Sequence, residues 1–132
     1  MEVVIDTNCL ISALIKGAKS RELICLSNIN FYAPEDIISE TIKHRKEIIS
    51  KTKMDENDFD TLIGILISKI NIIPENEFRN FKDKALKLVK HKEDAPFMAL
   101  ALSKNIPIWS DDKDFEIQNK IKIYKTKDLI SP

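Results

Sequence analysis

Four carboxylates at distant points of the sequence are the residues whose types and surroundings could do chemistry: Asp6, Glu40, Asp94 and Asp112. If they meet in the folded chain they repel one another, so the cluster persists only when protons or metal ions neutralise it. Carboxylates and water suit Mg²⁺ or Mn²⁺, whereas Zn²⁺ prefers His or Cys. Two such ions held about 3.5–4 Å apart can stabilise both the attacking and the leaving oxygen when a phosphodiester is hydrolysed.

The elements predicted around these acids explain how they could meet. Strands and helices alternate along the chain, which predicts an α/β fold with a parallel sheet. Right-handed crossovers bring the carboxyl ends of parallel strands to one edge of the sheet, where ligands bind. We therefore expect the four acidic regions to converge there. The predicted strands are Val3–Ile5, Phe31–Ala33, Asn71–Ile73 (or a connector), Ile106–Trp109 and Lys122–Tyr124.

Helices are predicted between these strands from apolar spacing and end signals. The segment Asp55–Ile70 is the most apolar of them, so it is expected either to be deeply buried or to contact a second subunit, which makes a homodimer plausible. The first helix is expected to end at Gly17, a residue that suits the left-handed cap. The other predicted helices are Cys9–Ile15, Ser20–Ser27, Pro34–Ile49, Glu77–Lys90 and one that begins near Asp94.

Composition bounds the class of protein. A chain of 132 residues predicts a single domain, residues 1–132. The 21 basic and 21 acidic residues give zero net charge, which excludes a protein that grips nucleic acid by overall positive charge but leaves room for a local basic rim. Two cysteines are too few for a disulfide framework. With no apolar run of membrane-spanning length and no signal peptide, we expect a cytoplasmic protein that does not contact a membrane.

Four stretches resemble, in order, the motifs of PIN-domain nucleases: Val3–Asn8, Ser39–Glu40, Glu93–Ala101 and Trp109–Phe115. No single motif is specific, but the set covers nearly the whole chain. The resemblance implies a three-layer α/β/α sandwich with a central parallel sheet, and a Mg²⁺- or Mn²⁺-dependent endoribonuclease with a pair of ions. Many small members of this family are toxins of toxin–antitoxin pairs, so it also implies an RNA substrate and an antitoxin protein as partner.

The resemblance assigns roles to individual residues. It implies that Asp6, Glu40, Asp94 and Asp112 are the catalytic, metal-binding acids. The family more often has Gly where Asp111 stands, which leaves the choice between Asp111 and Asp112 open, although the spacing to the next acid favours Asp112. The remaining implied roles are an auxiliary metal ligand at Asp114 and supporting polar groups at Asn8 and Ser110.

Simpler interpretations compete with these roles. Asp6 and Asp94 could merely cap helices, Glu40 could face solvent and Asp114 could belong to a turn. Basic residues near the acids are candidates for RNA contacts or an ordinary solvated surface: His44, Arg45, Lys87 and Lys90.

Two other functions compete with a nuclease. One is a haloacid-dehalogenase-like phosphatase with Asp6 as nucleophile, although such enzymes need a second Asp where this chain has Asn8. The other is a catalytically silent module that binds RNA or protein. Retention of the acids argues against the silent module.

Overall fold

A parallel sheet of five strands forms the centre of the fold, with strand order β3-β2-β1-β4-β5. The computed structural model describes residues 1–15 and 18–130. The predicted α/β class is confirmed, and Val3, Val4 and Ile5 of the middle strand are fully buried as expected for a strand covered on both faces. The strands are β1 (Glu2–Ile5), β2 (Asn30–Pro34), β3 (Ile70–Ile73), β4 (Ile108–Trp109) and β5 (Ile123–Tyr124).

The register of the sheet places the residues that follow β1 and β4 side by side. Ile5 is paired with Trp109, and the backbone N–H of Asp6 donates to the Trp109 carbonyl at 3.1 Å. Ser110 is in turn held by a 2.9 Å hydrogen bond from its N–H to the Tyr124 carbonyl. Two of the four acidic regions therefore leave the sheet at the same edge, as the crossover rule predicts.

Helices cover the sheet in two groups and complete an α/β/α sandwich. One group is built around α1, which packs against α2, α3, α4 and α5; in the other, α7 lies on β1, β2 and β4 and packs against α6. None of these helices, over the described ranges, is long and apolar enough to cross a membrane. Their bounds are α1 (Thr7–Ile15), α2 (Ala18–Leu26), α3 (Asp36–Lys43), α4 (Arg45–Thr52), α5 (Glu56–Ser68), α6 (Lys82–Leu88), α7 (Ala95–Lys104) and α8 (Thr126–Leu129).

The predicted third helix, Pro34–Ile49, is wrong as one continuous element. It is interrupted at His44, whose N–H donates to the Thr41 carbonyl at 3.1 Å, a tight bond of the kind that closes a helix end. The chain restarts as α4, and this change of direction lets Ile48 become fully buried. Burial of an apolar side chain stabilises the fold by about 1.5–3 kcal/mol, enough to offset the lost helical bonds.

The predicted helix Glu77–Lys90 is also shorter than expected. Two 3₁₀ turns, Glu75–Glu77 and Arg79–Phe81, precede α6, and Phe78 between them is only 3% exposed. Burying this ring requires a backbone that a regular helix would not give. Helix ends elsewhere differ by a residue or two, with α2 beginning before Ser20, while the predicted cap at Gly17 lies outside the described residues.

Candidate active site

Asp6 is the buried centre of the site, with only 4% of its surface exposed. Its Oδ2 accepts a 2.6 Å hydrogen bond from Ser110 Oγ, and its Oδ1 accepts one from the Asn8 N–H at 3.3 Å. Burial is the main cause that raises the pKa of Asp6; Asp112 and Asp111 raise it further, while the two hydrogen bonds oppose the rise. This carboxylate therefore sits where a cation would be strongly favoured.

Ser110 connects Asp6 to the loop that follows β4. Besides donating to Asp6, its Oγ accepts a 3.0 Å hydrogen bond from the Asp112 N–H. The Asp112 side chain then accepts a 2.9 Å bond from the Asp114 N–H. Because both contacts are short and Ser110 is fully buried, the acids at positions 6 and 112 are held in a fixed relation.

Glu40 approaches the same edge of the sheet from α3. Thr7 Oγ1 donates to its Oε1 at 3.4 Å. Partial burial, then the charge of Asp36 and those of Asp6 and Asp94, raise the pKa of Glu40 to about 7. A solvent-facing glutamate would not feel these neighbours, so the interpretation of Glu40 as an ordinary surface residue does not fit the structure.

Asp94 completes the group at the start of α7. It is half-buried, and burial followed by the charges of Asp6 and Asp112 raises its pKa to about 6. Its side chain makes no capping hydrogen bond to the helix, so the simple capping interpretation lacks support. The charges of Asp6 and Asp94 thus act on Glu40, and that of Asp112 acts on Asp6 and Asp94, although these acids come from separate parts of the chain.

Asp114 lies next to this group but is engaged by cationic partners. Its Oδ2 is 2.7 Å from His91 Nε2, and its Oδ1 is 3.6 Å from Lys90 Nζ. The His91 contact is the main cause that lowers the pKa of Asp114. The sequence interpretation did not consider His91, although its position three residues before Asp94 could have signalled it.

Asp111 is held by a different part of the chain. Its two carboxylate oxygens accept hydrogen bonds from Thr126, one from the N–H at 2.8 Å and one from the Oγ1 at 2.6 Å. Both contacts turn Asp111 toward the start of α8. Asp112, which is tied to Ser110 instead, is the better candidate for the fourth acid.

The basic residues proposed from the sequence differ in their freedom to bind RNA. Arg45 is committed within the fold: its Nη1 lies 2.6 Å from Asp60 Oδ1 and its guanidinium lies over the Phe59 ring at 5.1 Å. His44 is exposed beside Glu47, and Lys87 is exposed on α6. The Arg45 guanidinium thus already has partners within the fold, and its contact with RNA stays a prediction from the sequence.

A groove of about 620 Å³ begins at Glu40 and runs between α3 and α6. Three lysines line it: Lys43, Lys82 and Lys92. The sequence does not single out Lys43 or Lys92, whereas Lys82 belongs to the outward lysine face of the predicted helix Glu77–Lys90, which is expected to be either a solvated surface or part of a basic rim for RNA. None of them forms an ion pair within the part of the chain that the structure describes. Lys43 could have been found, because it lies three residues after Glu40 and so shares its helix face.

A smaller hollow of about 300 Å³ lies between the start of α1 and the loop that follows β4. Asn8, Ser12 and Asp112 line it together with Cys9 and Asp111. Burial raises the pKa of the Cys9 thiol well above its usual value, so this sulfur stays protonated and is a poor nucleophile or metal ligand. Asp112 lines this hollow and Glu40 lines the groove, so each of the two spaces is bordered by one of the four acids.

The donor set fits hard divalent cations. Burial, together with the charges of neighbouring acids, raises the pKa of Asp6, Glu40 and Asp94, and binding of Mg²⁺ or Mn²⁺ relieves repulsion between carboxylates. Among residues 1–15 and 18–130, no three acidic, His or Cys side chains are grouped closely enough to form a ready metal cage. The hydrogen bonds described above are one reason, because the Asp6 carboxylate accepts from Ser110 and Asn8 and the Asp112 carboxylate accepts from the Asp114 N–H.

The family model for the PIN domain matches residues 4–129. The chain belongs to the PIN-domain family. Members of this family are generally nucleases, and the match favours a nuclease over the phosphatase alternative. The sequence matches no curated protein.

A solved structure supports the PIN fold independently. A chain in the crystal structure of VapBC2 from Rickettsia felis, bound to a DNA fragment from its promoter, superimposes with a TM-score of 0.64 at 15% identity. The match covers 95% of this PIN domain and 98% of that chain. At this identity the likeness concerns the fold, and it confirms the predicted α/β/α sandwich.

Proposed function

We propose that this single-domain PIN protein is a metal-dependent endoribonuclease. The observation that supports the proposal most is that carboxylates from separate elements act on one another at the carboxyl edge of the sheet: Asp112 acts on Asp6, Asp6 and Asp112 act on Asp94, and Asp6 and Asp94 act on Glu40. A cluster of like charges costs stability unless a ligand neutralises it. Proteins keep such clusters where a cation is needed for chemistry.

The four acids would hold Mg²⁺ or Mn²⁺, in our proposal as a pair, with Asn8 and Ser110 as supporting groups. When bound, these ions supply the polarisation of water and the neutralisation of phosphate charge that hydrolysis of a phosphodiester requires. Ser110 fixes the orientation of Asp6 through its hydroxyl. Asp114, paired with His91, keeps Asp112 in place through its backbone N–H and is a positioning group in this scheme.

RNA would follow the groove that leads away from Glu40. Lys43, Lys82 and Lys92 line this groove, and lysines contact phosphates without reading sequence. His44 and Lys87, both exposed, are further candidates for contacts with RNA phosphates. Lys90 would contribute less, because its Nζ is shared with Asp114.

The test is cleavage by an isosteric variant. In Mg²⁺ or Mn²⁺ the wild-type protein should cut RNA, and Asp6→Asn should lower the rate by about 100-fold or more, as expected for loss of a charged group in a desolvated site. EDTA should abolish wild-type cleavage and added Mg²⁺ should restore it. Asp58→Asn, which removes an exposed carboxylate on α5, is the matched control and should cut normally.

Equal cleavage by Asp6→Asn and wild type would exclude the proposed site. RNA binding without any cleavage, unchanged in Asp6→Asn, would instead favour the silent binding module. Circular dichroism and thermal unfolding must show that both variants are folded.

We further propose a protein partner of the antitoxin type. The likeness to a chain of the VapBC2 structure supports this partner. The exposed side of α5, where Ile65 is 47% exposed, supports a homodimer, which light scattering would detect. A cytoplasmic location stays a prediction from the sequence.

A further inference from the structure

A second pocket opens from the far end of the lysine-lined groove. It has a volume of about 170 Å³ and shares Asp36, Lys82 and Pro96 with the groove, so the two spaces are continuous. Phe78 and Ala99 form an apolar floor. A small recess with apolar residues at its base, continuous with a groove that carries lysines, offers a nucleobase a place beside the phosphates of the same strand.

The pocket lies close to the proposed site of cleavage. Asp36 and Glu40 are four residues apart on α3, which places them on one helix face about 6 Å apart along the axis. The Asp36 charge is accordingly one of the causes that raise the pKa of Glu40. A base seated here would belong to a nucleotide close to the scissile bond.

The rim of the pocket carries both carboxylates and a guanidinium. Arg79 Nε lies 3.5 Å from Glu75 Oε1, and both side chains line the pocket with Asp36. Arg79 and Glu75 remain more than half exposed, so a ligand can reach them. The rim therefore offers hydrogen-bond acceptors and a forked donor at the same opening.

Guanine is the base whose edge fits both kinds of group. Its N1–H and N2–H₂ groups donate to a carboxylate, while its O6 and N7 accept from an arginine, the most common specific contact to this base. Adenine and cytosine each present a single amino donor group, and uracil presents a single imide donor. The rim thus favours guanine over the other bases.

We propose that this pocket binds a guanine base of the substrate RNA, in a nucleotide next to the cleaved phosphodiester. The proposal rests on the proposed ribonuclease function for the presence of RNA in the groove. It assigns base recognition to Arg79 together with the carboxylates of Asp36 and Glu75. Lys82, shared by both spaces, would hold the intervening phosphate.

A binding assay tests the pocket without requiring cleavage. Asp6→Asn protein is titrated into fluorescein-labelled oligoadenylate hexamers that carry G, C, U or A at one central position, and anisotropy is measured. The G-containing hexamer should bind about 5- to 100-fold more tightly than the all-A hexamer, the range expected for one good base contact. Adding Arg79→Lys should remove this preference while the all-A affinity changes less than about threefold, because the charge remains.

The second readout is the position of cuts. Fragments of a long RNA cleaved by the wild-type protein should show guanine enriched at one position within a few nucleotides of the cut, and Arg79→Lys should lose that enrichment. Lys120→Ala, an exposed change in a different hollow, should preserve both the enrichment and the binding preference.

Several outcomes would overturn the proposal. These are equal binding of all four hexamers, preference for another base, preference that survives Arg79→Lys, or no binding of any hexamer, which would point to a protein segment as occupant. If the wild-type protein cuts no RNA yet the hexamers show the Arg79-dependent preference, the ribonuclease proposal fails and the guanine pocket stands.

Discussion

Ser110 determines the geometry of the acids at the scale of single residues. Its hydroxyl donates to Asp6 and accepts from the Asp112 N–H, so one small side chain aligns two acids from different elements. Partners of metal-binding groups commonly control affinity in this way. A serine that is fully buried at the end of a strand is therefore more than a polar residue tolerated in the core.

Replacement of Ser110 by alanine should weaken the site without unfolding the protein. Loss of the hydroxyl frees the Asp6 carboxylate and leaves the Asp112 N–H without its acceptor. We expect the Mg²⁺ or Mn²⁺ concentration for half-maximal RNA cleavage to rise about 10- to 100-fold, as measured by titrating the metal. Ser50→Ala, at an exposed position of α4, is the control; similar values for both variants would contradict the role given to Ser110.

Residue types and local order could predict Asp6, Glu40, Asp94 and Asp112, since each stands at the end of a strand, at a helix start or on an inward helix face. The distinction between Asp111 and Asp112 could not be predicted with certainty. It depends on Thr126, fifteen residues away, which binds the Asp111 carboxylate through two hydrogen bonds. Local spacing carries no information about such a distant partner.

At the scale of elements, the break between α3 and α4 shapes the site. With α3 ending at Lys43, both Glu40 and Lys43 line the groove, while Arg45 turns toward α5 and pairs with Asp60. The apolar stripe alone predicts one long helix, because Ile37, Ile38 and Ile42 continue in register with Ile48 and Ile49. The spacing of apolar residues cannot show the break at His44, because the isoleucines on either side of it fit one continuous helix equally well.

The groove was missed for a similar reason. It is lined by residues of α3, of α6 and of the segment 92–96, and α6 begins only after two 3₁₀ turns on either side of the buried Phe78. Sequence periodicity predicts a single amphipathic helix here with its lysines facing outward. Only the packed structure shows that Lys82 faces Lys43.

Gly64 in α5 gives a prediction about stability. It lies in the interior of the helix and is exposed, and an added Cβ would meet no atom within 4 Å. Gly64→Ala should therefore raise the free energy of unfolding by about 0.5–1 kcal/mol, because alanine loses less conformational freedom in a helix. Urea unfolding of both proteins at micromolar concentration measures this difference in the free energy of unfolding.

The control for this prediction is Thr61→Ala, one turn earlier on the same exposed face, which should have a smaller effect. A decrease in stability with Gly64→Ala would show that the face is covered, for instance by a second copy of the chain. Light scattering on the same samples would then show whether a homodimer is present and whether it explains the decrease in stability.

At the scale of the whole molecule, the zero net charge is repeated in the groove, where Lys43, Lys82 and Lys92 are accompanied by Asp36, Glu40 and Glu93. Attraction to RNA then comes from the local lysines alone, so it should be weaker and less dependent on salt than in a protein that is basic overall.

The salt dependence of the RNA-binding constant reports how many phosphates the protein neutralises. If Lys43, Lys82 and Lys92 each neutralise one phosphate of a single strand, a plot of log binding constant against log salt should have a slope of about −2. Lys43→Ala in the Asp6→Asn protein should reduce that slope by about 0.7, as measured by anisotropy at several salt concentrations. Lys127→Ala on α8 should leave it unchanged, and an equal effect of both variants would argue against the groove.

The acid cluster should make the metal-free protein less stable as pH rises. Glu40 has a pKa of about 7 against an ordinary 4.5, and Asp94 about 6 against 3.8. The folded state therefore binds more protons than the unfolded state near neutrality, and the stability that these protons contribute is lost as pH rises through the folded-state pKa values. In EDTA, Tm should fall between about pH 5 and about pH 8.

Glu40→Gln is the matched variant for this measurement, since glutamine is uncharged at every pH. It should reduce the slope of Tm against pH, and divalent ions should raise Tm most at the alkaline end, where the acids are ionised. A slope that is identical in wild type and Glu40→Gln would remove the cluster as its cause.

The two hydrogen bonds from Thr126 to Asp111 carry a consequence for the tail of the chain. Trp109 also donates from its indole Nε1 to Thr126 Oγ1 at 2.9 Å. Thr126 in α8 therefore holds both Trp109 and Asp111, which lie within three residues of Asp112 in the chain. A premature stop just after Tyr124 would leave the five strands and the four acids of the site in the chain, but it would remove α8 and Thr126 with it. We therefore expect this truncation to free the loop after β4 and to leave the buried indole of Trp109 without its hydrogen-bond acceptor.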